Sequence, residues 1–381
     1  MIDDAGFGVY VHWPYCAAIC PYCDFNVRRD RGGDHEDLLR AIVADIEEHA
    51  RRIARGPAQT LFLGGGTPSL LSARGVATLI EAVDAAFGLE AGAEISLEAN
   101  PEHTAMFAEL VSAGVNRLSL GVQALRQKDL QTLGRRHSAI EARAAIDTAA
   151  HTGARVAADF IYALDGQTEA EWADALDEIL RLPIAHASFY QLTVEAGTPF
   201  ARAVARGRMR ALDVERAARL YELTQAKALD AGLPAYEISN HARAESERAR
   251  HNLLYWRGGD WLGVGPGAHG RAAMNGERFA TRAHADPKAY VRAVTEEGIG
   301  WAERERLSGP AQGEEWLMMG LRLAEGVDRR RIECARGAEF NADVLEALVA
   351  QEFLYTDEHR LVLTPAGRLL ADRIARDLLL A

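Results

Sequence analysis

The chain has 381 residues, 48% of them hydrophobic and 26% charged, with 43 basic against 55 acidic side chains and a net charge of −12. That length fits two or three domains, the ordinary apolar fraction excludes long disordered or fibrous tracts, and the acidic balance excludes a broad nucleic-acid-binding face or a polybasic membrane anchor. The 4 cysteines form no disulfide framework, the first residues lack a signal peptide's basic and apolar regions, and no apolar run suits a membrane span, so a cytoplasmic protein without membrane insertion is expected.

The first strand is expected over residues 8–13 and runs into a cysteine loop. A helix over 34–53, opened by a capping Asp34, leads to a strand over 60–64 that ends in Gly64-Gly65-Gly66-Thr67-Pro68. Ser72 caps a helix over 72–87, and strands follow over 93–98 and 117–123. Ser138 with Glu141, and Thr168 with Glu171, match the capping box, in which two side chains satisfy the orphan N–H groups of a helix start. These helices flank a strand over 155–162, and a last strand is expected over 186–192. A long helix over 212–231 precedes a Gly-rich stretch at 257–270. Beyond about residue 300 the pattern changes to helices over 314–324 and 341–351, a hairpin over 353–363 turning at Asp357–His359, and a capped helix over 364–380.

Strands alternating with helices predict parallel βαβ units. Six in succession predict an α/β fold, a partial (β/α)6 barrel, with every strand's C-terminal end at one rim. Special residues do collect where strands end: Gly64 to Thr67, Glu98, Gln123, Asp159, Tyr190 and Gln191. The expected organisation is a barrel over 1–240, a connecting region over 241–300, and a small α+β, winged-helix-like domain over 301–381.

Cys16, Cys20 and Cys23 carry the strongest chemical signal. Thiolates bind soft metals and iron–sulfur clusters. Pro21 lacks an N–H and disfavours a helix through Cys20, so the segment is expected to be a loop around a metal centre. A zinc site would need a remote fourth ligand such as His12 or Cys334, and Cys20 with Cys23 also fit a redox pair. The spacing favours a cluster, and three cysteines leave one iron of a [4Fe–4S] cluster open. Cys334, in the C-terminal domain, is expected to be a buried thiol.

Cys16-Ala-Ala-Ile-Cys20-Pro-Tyr-Cys23 at the end of a first strand resembles the radical S-adenosylmethionine (SAM) superfamily. Tyr10-Val-His-Trp-Pro-Tyr before it, Asp24-Phe25 after it, Gly64 to Ser69, Glu98-Ala-Asn-Pro101, Gly121-Val-Gln123 and Leu361 to Gly367 are similar to the oxygen-independent coproporphyrinogen III oxidases and the related HemW-type haem chaperones. The resemblance covers nearly the whole chain. It implies a radical-SAM barrel with a C-terminal domain like that of the oxidases, a [4Fe–4S] cluster on the three cysteines, and SAM chelating the open iron. It also implies a SAM site formed by Tyr10, Gly65, Gly66, Thr67, Glu98, Gln123, Arg135 and Asp159. Glycines admit close backbone approach, the two carboxylates suit ribose hydroxyls or an ammonium, and the Arg135 fork suits a carboxylate.

Phe25 stands where the oxidases carry a further cysteine, so no coproporphyrinogen oxidase activity is expected. His251-Asn252-Leu-Leu-Tyr255-Trp256 matches the HNxxYW motif of the chaperone branch, which implies haem as cargo with His251 as its ligand. Taken alone, those residues favour a histidine and two aromatics packing the barrel against the C-terminal domain, and the resemblance reverses that preference. His269 is the second haem-ligand candidate. The branch further implies an apo-haemoprotein recipient, such as a membrane-bound respiratory cytochrome, and a homodimer is left open. Ala163-Leu-Asp165-Gly166 departs from the Gly-Leu-Pro-Gly frequent in the family, so nothing is transferred there.

Overall fold

The structure is a computed structural model that describes residues 5–33, 35–53, 55–210 and 213–380. Six parallel strands follow one another as expected: β1 (Phe7–Trp13), β2 (Ala58–Gly65), β3 (Leu89–Ala99), β4 (Arg117–Gln123), β5 (Arg155–Tyr162) and β6 (His186–Gln191). Each pairs with the next in sequence, which is the winding of a barrel wall. Alternation along β1 sends Phe7, Val9, Val11 and Trp13 into the core shared with the outer helices, and turns Gly8, Tyr10 and His12 the other way.

The caps lie where the side chains place them. Ser72 accepts from the Gly75 N–H, and both capping boxes are complete, at Ser138–Glu141 and Thr168–Glu171. The helix expected to open at Asp34 spans His35–Arg52, and the expected helix starting at Leu212 spans Val214–Asp230 with Asp213 as its cap. Asp34 and Leu212 themselves lie outside the described residues.

The sheet is wider than the six strands. β7 (Asn240–Ala242) adds antiparallel to β6, and β8 (Asp260–Val264) lies parallel to β1 on its other side, with Tyr10 opposite Gly263. From β8 the sheet continues antiparallel through β9 (His269–Met274), β10 (Glu277–Ala283) and β11 (Trp301–Arg306). The Gly-rich stretch therefore supplies a central strand, and the wall is an eleven-stranded mixed sheet. Gly263 is required there, because a Cβ would stand 2.1 Å from the His269 carbonyl oxygen.

The C-terminal unit has its own core of Leu317, Ile332, Leu345, Leu361 and Leu378 among others. Its hairpin is β13 (Leu354–Thr356) and β14 (Arg360–Leu363), joined by β12 (Val327–Asp328) as a third strand. Three expectations need correction. The helix predicted over 314–324 runs Gly309–Gly320, because Ser308 caps it and Pro310 opens it. The single helix predicted over 364–380 is two, Pro365–Arg368 and Ala371–Leu380. Cys334 is exposed, since Ile332 takes the inward face of its short helix and a residue two positions on points away. No helix among the described residues is long and apolar enough to cross a membrane.

Candidate functional site

The cysteine loop leaves β1 at the C-terminal rim and is pinned at both ends. Tyr15–Cys16 pairs parallel with Arg28–Arg29, and the Asp30 N–H donates to the Cys16 carbonyl at 2.8 Å. Inside the loop the Cys23 N–H donates to the Cys20 carbonyl at 3.1 Å, so the segment turns at Pro21, as its missing N–H requires. The glycine loop after β2 locks onto it: the Gly66 N–H donates to the Trp13 carbonyl at 2.7 Å, and the Thr67 N–H to that of Tyr15 at 2.8 Å. Gly66 admits this approach because a Cβ would stand 2.6 Å from the Tyr15 oxygen.

Behind the thiols opens a cavity of about 360 Å³. Its wall holds Cys16, Cys20 and Cys23 together with Gly65, Gly66, Thr67, Glu98, Gln123, Arg135 and Asp159, residues that come from five strands, the loops that follow them and, for Arg135, the turn after the helix Gln127–Thr132. Tyr10 is the one expected SAM contact off that wall; its hydroxyl lies 2.9 Å from His12 Nδ1. Asn100, Ser119 and Tyr190 also line the cavity. Sequence reasoning placed Tyr190 at a strand end but singled out neither Asn100 nor Ser119. The signal for Asn100 was present, two positions past Glu98.

Arg135 is held by the Asn100 side chain at 2.5 Å and the Gly121 carbonyl at 2.8 Å, and its Nη1 lies 3.3 Å from Cys20 Sγ. Its Nε has no hydrogen-bond partner among the described residues. The β4 strand is bulged between Leu120 and Gln123, where Gln123 takes a positive φ of 68° at the rim. Glu98 accepts the Gly65 N–H at 3.0 Å, yet burial and then the Asp159 charge push its carboxyl up to about 7. Asp159 accepts from Ser119 Oγ at 3.3 Å, and burial raises its carboxyl as well. Burial pushes the Cys23 thiol up to about 11 and raises that of Cys16. A wall of raised thiols and raised carboxyls is one whose deprotonated forms a bound cationic centre would stabilise.

The donors suit a cluster. Three thiols share the wall with glycine backbone and with an Arg135 N–H that lies 3.3 Å from Cys20 Sγ, a donor set that fits an iron–sulfur cluster. Phe25, 65% exposed, flanks the loop at the cavity wall.

His251 stands elsewhere, on the helix Arg250–Trp256 inside the amino-terminal end of the wall. It is 1% exposed. Its Nδ1 lies 2.7 Å from Thr60 Oγ1 and its Nε2 lies 2.6 Å from the Tyr255 hydroxyl. Burial pushes its pKa down to about 3, so the ring is neutral. Both ring nitrogens are engaged, because β2 brings Thr60 under the ring and one helical turn brings Tyr255 over it. His269 is exposed at the start of β9, and its ring makes no hydrogen bond among the described residues.

Comparison with known proteins agrees with this geometry. Residues 10–179 match the Radical SAM superfamily, and residues 307–370 match the HemN C-terminal domain. The chain is 39% identical over 379 residues to the "Heme chaperone HemW" of Mycobacterium tuberculosis, across 98% of this chain and 95% of that protein. It is 40% identical over 329 residues to the mitochondrial "Radical S-adenosyl methionine domain-containing protein 1" of Bos taurus, across 84% of this chain and 74% of that protein. Among solved structures, coproporphyrinogen III oxidase (HemN) from Escherichia coli superposes with a TM-score of 0.81 at 23% identity, covering 99% of this chain and 91% of that one, a likeness of fold.

Proposed function

Because the chain belongs to the HemW haem-chaperone family within the radical SAM superfamily, we propose that it binds haem and passes it to an apo-haemoprotein, a membrane-bound respiratory cytochrome being the recipient, on a scaffold that holds a [4Fe–4S] cluster and SAM. One observation carries the scaffold: Cys16, Cys20 and Cys23 meet Glu98, Gln123, Arg135 and Asp159 around a single cavity. The three thiols would hold three irons of the cluster, which when bound offers a fourth iron to the amino and carboxylate groups of SAM. Gly65 and Gly66 let the backbone lie against the ligand. Arg135, on the cavity wall, is the cation for the SAM carboxylate, and Glu98 and Asp159 are the acceptors for its ribose or ammonium. Tyr10 supports this wall from behind, through His12.

Phe25 favours the chaperone over the oxidase, since it occupies the position of the oxidases' additional cysteine. Of the two histidines, His251 reaches iron only by giving up Tyr255, whereas the His269 ring is open. The test is a haem titration of anaerobically reconstituted protein, followed in the visible spectrum. Saturable binding of one haem per chain is expected, with the band altered in His269→Ala if that ring is the ligand. Absence of specific binding sinks the chaperone reading, and turnover of coproporphyrinogen replaces it with the oxidase.

A further inference from the structure

The surroundings of the HNxxYW helix describe a part other than an iron ligand. Gly8 makes room for it: a Cβ there would stand 2.4 Å from Thr60 Oγ1 and 3.3 Å from His251 Nδ1. The His251 main-chain N–H donates to Glu94 Oε1 at 3.1 Å, at the positive end of that helix turn. The Phe62 ring stacks on the His251 ring with centroids 5.2 Å apart. The other neighbour of Phe62 is Tyr10, stacked at 6.1 Å.

From Tyr10 the line continues by hydrogen bonds. Its hydroxyl lies 2.9 Å from His12 Nδ1, and His12 Nε2 lies 2.9 Å from the Asn26 carbonyl oxygen. A carbonyl only accepts, so Nε2 of His12 carries the proton, and Nδ1 accepts from Tyr10. The direction of both bonds is thereby fixed. The His12 ring also lies under the glycine loop, where a Cβ on Gly65 would stand 2.5 Å from it. Asn26 is the third residue after Cys23, and its side-chain amide is clamped by the carbonyls of Pro266 at 2.8 Å and Ala285 at 2.9 Å. One continuous column of rings and directed hydrogen bonds thus joins the motif at the floor of the wall to the outgoing arm of the cysteine loop at its rim.

We propose that the HNxxYW motif positions the cysteine loop: His251 acts through Phe62, Tyr10 and His12 on the backbone at Asn26, and so fixes where the thiols stand, rather than ligating haem iron. Close-packed interiors pass displacement along such contacts, and outer partners of metal ligands set both affinity and electronic state. His251, Phe62 and Tyr10 are positioning residues in this arrangement. The proposal rests on the cluster-bearing scaffold described above, and its test separates the two.

The full-length chain is reconstituted anaerobically with iron and sulfide, without SAM. Iron and sulfide per chain, the electron paramagnetic resonance of the reduced cluster, and the visible spectrum of added haem are then recorded. In His251→Ala, cluster affinity is expected to fall about tenfold, the lower end for losing an outer partner, with altered g values. His251→Gln retains polar groups for Thr60 and Tyr255 but has no ring to stack on Phe62; it is expected to shift the g values in the same sense as His251→Ala, by less, and to leave the haem band where it is. Tyr10→Phe removes one hydroxyl and keeps the ring, so it tests the column if the alanine variant fails to fold. It is expected to shift the g values in the same sense. A haem band shifted or lost in His251→Gln, with an unaltered cluster, assigns His251 to the iron and overturns the proposal. Unaltered g values in both His251→Ala and Tyr10→Phe overturn it too. If the wild type acquires a cluster but binds no haem, the chaperone reading fails alone, and the cluster signals still decide the positioning role.

Discussion

Glu94 and Glu98 lie on one strand, on one face, four residues and about 13 Å apart, and the molecule treats them oppositely. Glu94 is fully buried, accepts the His251 N–H, and faces Arg155 at 3.3 Å and Arg117 at 3.7 Å. Glu98 faces the like charge of Asp159 and, among the described residues, forms no ion pair; its carboxyl is pushed up to about 7. At the floor His251 has both nitrogens engaged and Glu94 meets opposite charge, while at the rim two carboxylates face each other. Opposite charges fix geometry, and a pair of like charges is relieved by a bound cationic group. That difference separates scaffold from site within a single wall.

The comparison is broken most severely by removing its purpose. Replacing any one of Cys16, Cys20 or Cys23 by alanine is expected to abolish cluster incorporation, read as iron and sulfide per chain after anaerobic reconstitution, with the fold retained in circular dichroism. Stable full iron loading in all three variants would end the assignment of the rim. At the floor, Glu94→Leu leaves Arg117, itself 2% exposed, as an uncompensated buried charge. It is expected to cost about 3–5 kcal/mol, measured by urea unfolding, and an unchanged midpoint would show that the floor pairing is idle.

Glu98→Gln is expected to do the reverse in the protein without cofactors. A carboxyl raised in the folded state binds protons that the unfolded chain has released. Its contribution is therefore present below about pH 4.5 and is lost as the pH rises through about 7. The glutamine variant should accordingly be the more stable by about 3 kcal/mol at pH 8, with the advantage fading by pH 5. The histidines run the other way: His251 and His49, pushed to about 3 by burial, withhold protons that the unfolded chain takes up below 6.5, so stability should fall as pH drops from 6.5 toward 3. An advantage for Glu98→Gln that grew on acidification would reverse the sign and refute the raised carboxyl. The smallest effect belongs to neither end. Ser138→Ala on the outer layer removes one cap, which costs about 1 kcal/mol, and should leave cluster loading unchanged.

How far these assignments were legible in the sequence depended on the range of the interaction. The six strands, the Ser72 cap and both capping boxes follow from alternation and local side-chain chemistry. Glu98, Gln123 and Asp159 were legible as polar residues at strand ends. β8 was not: Gly263 and Gly265 interrupt its pattern and suggest a loop, and its partner β1 lies some 250 residues earlier. Ser119 was invisible because nothing marks a short polar side chain as facing a cavity, whereas Asn100 stood in the Glu98-Ala-Asn-Pro101 motif without being singled out. The Ala163 loop shows the same limit on a smaller scale. Ala163 holds a positive φ of 67°, a conformation that favours glycine, and its N–H donates to the Gln167 side chain at 2.7 Å.

The sequence by itself determined the cysteine spacing, the order of the parallel strands and the rim where their ends gather, because each depends on neighbours a few residues apart or on the fixed hand of a βα crossover. Only the tertiary structure decided which side chains end satisfied and which end open. His251 is packed among Thr60, Phe62 and Tyr255, which come from across the chain, while Glu98 accepts the Gly65 N–H and faces Asp159. Burial and partnership are properties of segments brought together from across the chain, and no local pattern encodes them.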